Sequence, residues 1–291
     1  MTAGPPYRQI GIAGTGRVAR ALALALGPHA SPPPLVWGRS AEKRDAAIAQ
    51  IGRAAPAENC AALANACDVI VIAVSDDAIA PVAAEVARSL PAGRPILVAH
   101  VSGRSGAAVL QPLRARGALT AAIHPVMTFT GEPQLEVGRM VGARFAVTGS
   151  SEAATIAAGA LVGLLGGIAV EIAEAHRPLY HAALCHAANH LVTLLAGSFR
   201  ALGTAGVEDP AGLLAPLVRA ALENSLAHGF SALSGPLLRG DRETIGNHLA
   251  ALEGECPDIL PAYRAMALAT LDELERGSGT SRLSALRRDL E

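Results

Sequence analysis

A chain of 291 residues with 51% hydrophobic content is long enough for one large or two ordinary domains and can bury a sizeable core. Its 24 Lys and Arg against 25 acidic residues leave it near neutral, without the field needed to hold phosphate backbones over a wide surface, so no nucleic-acid partner is expected. The opening MTAGPPYRQI has no charged region leading into an apolar stretch, and no window offers roughly 18 apolar residues free of turn signals and charge, which predicts a soluble cytoplasmic protein with no membrane partner.

In chain order, short β-branched runs alternate with amphipathic stretches. Strands are predicted at 9–13, 35–38, 69–74, 96–100, 121–124 and 144–148, with helical patterns at 17–26 and 41–51 after the first two. The run VIVIAV suits a strand buried on both faces of a parallel sheet. A helix over 151–165 ends in Gly166-Gly167, and IAVEIA offers one more strand. This is the pattern of an α/β doubly wound parallel sheet. From Glu174 onward only long apolar-periodic segments follow, at 176–201, 211–227, 244–252 and 257–274, and the last dozen residues read as a solvated end. Two domains are therefore predicted, 1–173 with the sheet and 174–291 all-helical. The cysteines Cys60, Cys67, Cys185 and Cys256 form no CxxC pair and read as buried thiols, not as a zinc ribbon or a disulfide scaffold.

The stretch IGIAGTGRVAR places Gly14-x-Gly16-x-x-Ala19 between the first strand and the first helix. In that context the spacing points to a dinucleotide: Gly14 turns tightly, Gly16 lets backbone amides approach a pyrophosphate, and Ala19 keeps helix and strand close. Gly11, Gly14, Thr15, Gly16, Arg17 and Val18 are the expected cofactor residues here. At the end of the second strand, Arg39 and Ser40 stand where a carboxylate would hold the 2′-hydroxyl of NAD, with Lys43 and Arg44 one turn on. That corner suits a 2′-phosphate and predicts NADP(H), although Ser40 could simply cap the next helix. Val74 and Ser75 fall at the carboxyl edge of the fourth strand, while Asp76 and Asp77 read as the start of a helix.

Two further strands end in polar residues where ligands of such sheets bind, one at His100-Val-Ser102-Gly103 and one at His124-Pro125. His124 is expected to give a proton to the reduced substrate and Ser102 to orient it; His100 is assigned to cofactor contact. Each histidine could instead only bond backbone. In RPLYHAALCHAANHLVTLL, about 100° per residue puts His181, Cys185 and Asn189 within an arc of roughly 80°, so His181 and Asn189 join the candidate site, a helix–helix bond being the other reading for Asn189. His181/Cys185 and His186/His190 have i,i+4 spacing, but no HExxH or carboxylate accompanies them, and no metal is predicted. Asp241 reads as a helix cap, and Arg239 as a surface residue or a carboxylate partner.

Taken together, GxGxxA at Gly14–Ala19, HxSG at His100–Gly103, HPxxTF at His124–Phe129, YHAAxxxAxN at Tyr180–Asn189 and SGPxxRGDxxTI at Ser234–Ile245 give the chain a resemblance over nearly its whole length. It resembles a family of Rossmann-like oxidoreductases whose C-terminal helical half is a domain of unknown function. The wider superfamily holds ketopantoate reductase, 6-phosphogluconate and β-hydroxyacid dehydrogenases, pyrroline-carboxylate reductase and prephenate dehydrogenase. The resemblance implies an NADPH-binding Rossmann domain, a helical domain like the C-terminal one of 6-phosphogluconate dehydrogenase, and a homodimer formed through it. It also implies a catalytic lysine four residues before the asparagine, where this chain has Cys185. The leading expectation is an NADPH-dependent reductase of a small keto acid, ketopantoate being one guess. An imine reductase, a prephenate-dehydrogenase-like enzyme and a non-catalytic NADP(H) sensor are the alternatives.

Overall fold

The run Val69-Ile70-Val71-Ile72 explains how the sheet is held. Val69 and Val71 pack with Ile10, Ile12, Leu97, Ala99, Ala121 and Ile123 on one face. Ile70 and Ile72 pack with Leu63, Val86, Leu90 and Val98 on the other. Side chains alternate across a strand, so a run apolar at every position needs cover on both sides. The computed structural model describes residues 7–278 and 283–291.

The strands are Ile10–Ala13 (β1), Leu35–Trp37 (β2), Ala55–Pro56 (β3), Val69–Ile72 (β4), Leu97–His100 (β5), Leu119–Pro125 (β6), Arg144–Gly149 (β7) and Ile168–Glu171 (β8). They form one sheet in the order β3-β2-β1-β4-β5-β6-β7-β8. The helices of this part are Arg17–Leu26 (α1), Ala41–Ile51 (α2), Cys60–Ala66 (α3), Asp76–Ser89 (α4), Gln111–Arg114 (α5), Pro133–Met140 (α6), Glu152–Leu164 (α7) and Arg177–Leu184 (α8). α1 buries Ala19, Leu22 and Leu26, each leucine worth about 1.5–3 kcal/mol by area removed from water. β3 has no signal in the sequence because it is two residues long and contains a proline, which only an edge position tolerates.

One pairing departs from the parallel expectation. β6 and β7 are antiparallel, with Ala121 opposite Gly149 and Pro125 opposite Phe145. The segment 126–143 leaves the carboxyl end of β6 and returns at that same end, where the Val126 N–H donates to the Arg144 carbonyl at 2.9 Å. The other pairings are parallel, including β7 with β8. Burial pushes the Cys60 and Cys67 thiols up to about 12, which makes them inert filling for α3. Cys256 is buried too, whereas Cys185 is only half-buried.

The chain divides into two compact units, 1–183 and 184–291. The division falls ten residues beyond the point where strands give way to helices, because Arg177 at the start of α8 is buried among the strand ends of the first unit. The second unit holds a π-helical turn, Cys185–Asn189, then His190–Thr204 (α9), Pro210–His228 (α10), Pro236–Arg239 (α11), Arg242–Glu255 (α12), Leu260–Ser278 (α13) and Ser284–Leu290 (α14). Asp241 caps α12 as expected, accepting from the Thr244 N–H at 3.1 Å. The expected solvated end is corrected over the described residues: Leu286 and Leu290 of α14 are buried with Ile245, Ala267 and Leu271. Arg242 grips Asp289 with two bonds of 2.7 and 2.9 Å. Leu286→Ala is expected to cost about 2–5 kcal/mol, read as a lowered urea midpoint.

Candidate active site

The β1–α1 turn forms one end of the site. Gly14 has φ +141°, and a Cβ there would lie 2.2 Å from the Ala73 carbonyl oxygen, so no other residue fits without displacing β4. The Gly14 N–H donates to Trp37 O at 2.8 Å, tying the turn to β2. Gly16 caps α1 without a side-chain bond, and the first turn of the helix carries no acidic residue. A Cβ on Gly16 would meet nothing within 4 Å. The uncapped amides of a ten-residue helix thus face open space, which suits an anion.

That space is a cleft of about 620 Å³ lined by Gly14, Thr15, Gly16, Arg17, Val18, Arg39, Ser40, Val74 and Ser75, and also by Trp37, Gly38, Lys43, Ala73, Ala78, Val82, Val101 and Phe129. No aspartate or glutamate is among these residues, and Arg39 and Lys43 lie at the β2 end. The residues fit a dinucleotide bearing a 2′-phosphate: amides for the pyrophosphate and cations for the extra charge. Ser40 Oγ also accepts from the Lys43 N–H at 3.2 Å and so caps α2. Arg44 points away, bonding Asp45 and the Ala57 carbonyl. The hydrogen bond with Ser75 is the main reason the Asp77 carboxyl is held below its usual range.

Two of the expected cofactor residues do not line the cleft. Gly11 is buried in β1 against α3, where a Cβ would come within 2.7 Å of Cys67 Sγ. His100 is fully buried: its Nε2 meets Gly106 O at 2.8 Å and its Nδ1 accepts from the Ser102 N–H at 3.1 Å. Both positions are corrected to structural ones, Gly11 fitting α3 to the sheet and His100 closing the 101–106 loop. Ser102 serves that loop too, its hydroxyl accepting from the Ser105 N–H at 3.3 Å. The His100 imidazolium is disfavoured down to about 4, first by burial and then by the nearby Arg177.

The corner around Gly103 is built on Arg177. This arginine is 1% exposed, and no carboxylate is among its bonded partners. Its Nε donates to Thr148 Oγ1 at 2.7 Å, one terminal nitrogen to Ser102 O at 3.4 Å, and the other to Ala146 O at 3.0 Å and Ala122 O at 3.4 Å. Four acceptors from the 101–106 loop, β6 and β7 thus share one cation. One helical turn on, Tyr180 Oη lies 2.7 Å from His124 Nδ1. The Arg177 guanidinium carbon sits 5.7 Å from the Tyr180 ring centre. His124 and His181 stand edge to face, 6.4 Å between ring centres, and both rings press on Gly103. A Cβ on Gly103 would lie 2.7 Å from the His181 ring and 3.0 Å from His124 Nε2.

His124 and His181 thus lie together with Tyr180 and Arg177, while Ser102 bonds the backbone of its own loop. His124 is pushed down to about 4, by burial first and then by the Arg177 and His181 charges, so it is a neutral imidazole at pH 7. Burial raises the Tyr180 hydroxyl, with Arg177 opposing. Asn189 lies in the second unit, exposed, in the π-helical turn. Arg239 is exposed there, 4.0 Å from Asp241. The sequence holds a signal for Tyr180 and Arg177, since both sit in the RPLYH segment, but their partners lie 29 to 75 residues away.

Residues 3–125 match the Rossmann-like domain family, and residues 143–270 match the domain of unknown function DUF2520. The chain joins a Rossmann-like domain to DUF2520. No functionally curated protein matches it. Among solved structures it is similar to a protein of Bacteroides fragilis described as a candidate NADP oxidoreductase, with 19% identity over 90% of this chain and 97% of that one and a TM-score of 0.74. An imine reductase of Myxococcus stipitatus in complex with NADP+ is 22% identical over 97% of this chain and all of that one, with a TM-score of 0.64. The Plasmodium falciparum pyrroline carboxylate reductase with NADP bound is 15% identical over 93% and 96%, with a TM-score of 0.62. These likenesses establish the fold.

The buried His100 is expected to make the stability of the chain acid-sensitive. A neutral imidazole whose folded pKa lies near 4 leaves stability level above pH 6.5; below that the unfolded chain binds the proton first, and stability falls until pH 4. For His100 the loss is roughly 3 kcal/mol. Urea titrations at pH 7 and 4.5 are expected to show a smaller acid loss for His100→Gln than for wild type.

Proposed function

We propose that the protein is an NADPH-dependent reductase of a small carbonyl compound or the corresponding imine. The observation that carries this reading is the Tyr180–His124 pair, 2.7 Å apart, at the carboxyl edge of a sheet whose cleft is lined with glycine amides and cations. NADPH, when bound, supplies the hydride. Arg39, Lys43 and Ser40 hold its 2′-phosphate, and the amides after Gly14 and Gly16 its pyrophosphate.

The proton comes from Tyr180. His124, neutral at working pH, cannot act as an imidazolium acid, but as the Nδ1–H tautomer it donates to Tyr180 Oη. As hydride reaches the substrate carbon, the Tyr180 proton passes to the developing alkoxide or amine. The tyrosinate left behind accepts from His124 Nδ1–H and faces the Arg177 cation, and it regains its proton from water. The same donor serves C=O and C=N, so the chemistry covers the keto-acid reading, with ketopantoate as one guess, and the imine reading; likeness to an imine reductase and a pyrroline carboxylate reductase supports the second.

We also infer a homodimer through the helical half. The stretch Glu174–Thr204 is long and apolar enough to cross a membrane by length and composition alone, and almost none of it is buried. It carries Arg177, His181, His186, Asn189, His190 and Arg200, which a hydrocarbon interior disfavours. Val192 of α9 and Leu213, Leu217 and Leu226 of α10 are 58 to 80% exposed. An apolar surface of this kind favours a protein partner.

With a panel of 2-oxo acids, ketones and cyclic imines, NADPH is expected to be oxidised and NADH to bind at least about tenfold more weakly, a gap that Arg39→Ala closes. Tyr180→Phe should lower kcat by about 10²–10⁴ with NADPH affinity kept. The rate with wild type should stay level from pH 5 to 9; a fall through pH 6–7 would make His124 the acid instead. NADPH binding without turnover of any substrate in the panel would favour a sensor. Sedimentation equilibrium should return twice the chain mass, and Leu217→Glu should yield monomers.

A further inference from the structure

Arg104 stands beside the corner around Gly103 with its charge directed outward. It follows Gly103, the glycine covered by His124 and His181, and its side chain is 58% exposed. Its backbone is held on both sides. The Ser102 carbonyl accepts from Arg177, the Ser105 N–H donates to Ser102 Oγ, and the Gly106 carbonyl bonds His100. The loop backbone is fixed by buried partners, while the guanidinium is half-exposed. Its one ion-pair partner among the described residues is Asp76, with Nε to Oδ2 at 2.8 Å.

That pair spans the carboxyl ends of β4 and β5. Asp76 follows Ser75, and Arg104 lies three residues after Val101; Ser75 and Val101 both line the cleft. The Asp76 charge is felt at both His100 and His124. The other cation of the corner around Gly103, Arg177, has each guanidinium nitrogen engaged by protein acceptors. Arg104 is left as the cation that can change partners.

Resting on the reductase reading above, we propose that Arg104 binds a carboxylate carried by the substrate, with Asp76 as the internal competitor that the substrate displaces. The substrates are then 2-oxo acids or cyclic imino acids and not neutral ketones. A guanidinium fork can take both oxygens of a carboxylate, and the ion pair with Asp76 balances its charge until a substrate carboxylate displaces that partner.

The test uses the full chain saturated with NADP+, so that ligands bind without being reduced. 2-Oxo acids from pyruvate to 2-oxohexanoate and their 2-oxoamides are titrated by ligand-observed NMR. The acids should bind at least about tenfold more tightly than the amides. Arg104→Gln should abolish the difference, and Asp76→Asn should tighten acid binding several-fold while leaving the amides unchanged. Opposite signs are what a structural ion pair would not produce, since either variant breaks it. Equal binding of acids and amides, binding of neither, or a like-signed effect of the two variants overturns the proposal. Failure of NADP+ itself to bind, read before any acid is added, overturns the reductase reading instead.

Discussion

A single buried cation organises the sheet-bearing unit of this protein. Arg177 has no bonded carboxylate, and a charge taken out of water is costly unless its hydrogens are met. Three carbonyls and a threonine hydroxyl meet them, and those acceptors come from the 101–106 loop, β6 and β7. The antiparallel return of β7 is what brings Ala146 and Thr148 within reach. Burial keeps His124 and His100 neutral; the same positive charge adds to that effect and opposes the upward push on Tyr180. Fold and electrostatics are thus linked through one side chain.

Charge is distributed along the cleft in two regimes. At the β2 end Arg39 and Lys43 line open space, a setting for binding an anion in water. At the β5–β6 end His100 and His124 are neutral imidazoles beside the buried Arg177 cation, and a proton moved there is less screened by solvent. A dinucleotide lying along the cleft would have its charged groups in the first regime and its reactive ring near the second.

The parts legible from the sequence are those where local chemistry decides. Gly14 is demanded by a positive φ and a carbonyl 2.2 Å from its missing Cβ, and a GxG after a strand reports both. VIVI reports a strand covered on two faces, and Asp241 three residues before Thr244 reports a cap. What escaped depends on distant partners. His100 and His124 look alike in the chain, each ending a strand, yet one has both ring nitrogens engaged within its own loop and the other meets Tyr180 56 residues on. Gly11 reads as part of the glycine motif, but its smallness serves Cys67. Leu286 and Leu290 lack the length of helix that makes periodicity visible, and only their burial against α12 and α13 residues reveals them as core.

Gly103 shows how an absent atom can define a site. Two imidazole rings from separate elements rest where its side chain would be, so the spacing between them is set by a bare backbone. A loop of this kind works as a gauge: its residue count decides which position faces the rings. Changing the length between the His100 anchor and the Gly106 carbonyl by one residue would bring Ser102 or Arg104 to face the rings and part the two histidines. Loop length is therefore the constraint here for as long as the two rings share one glycine.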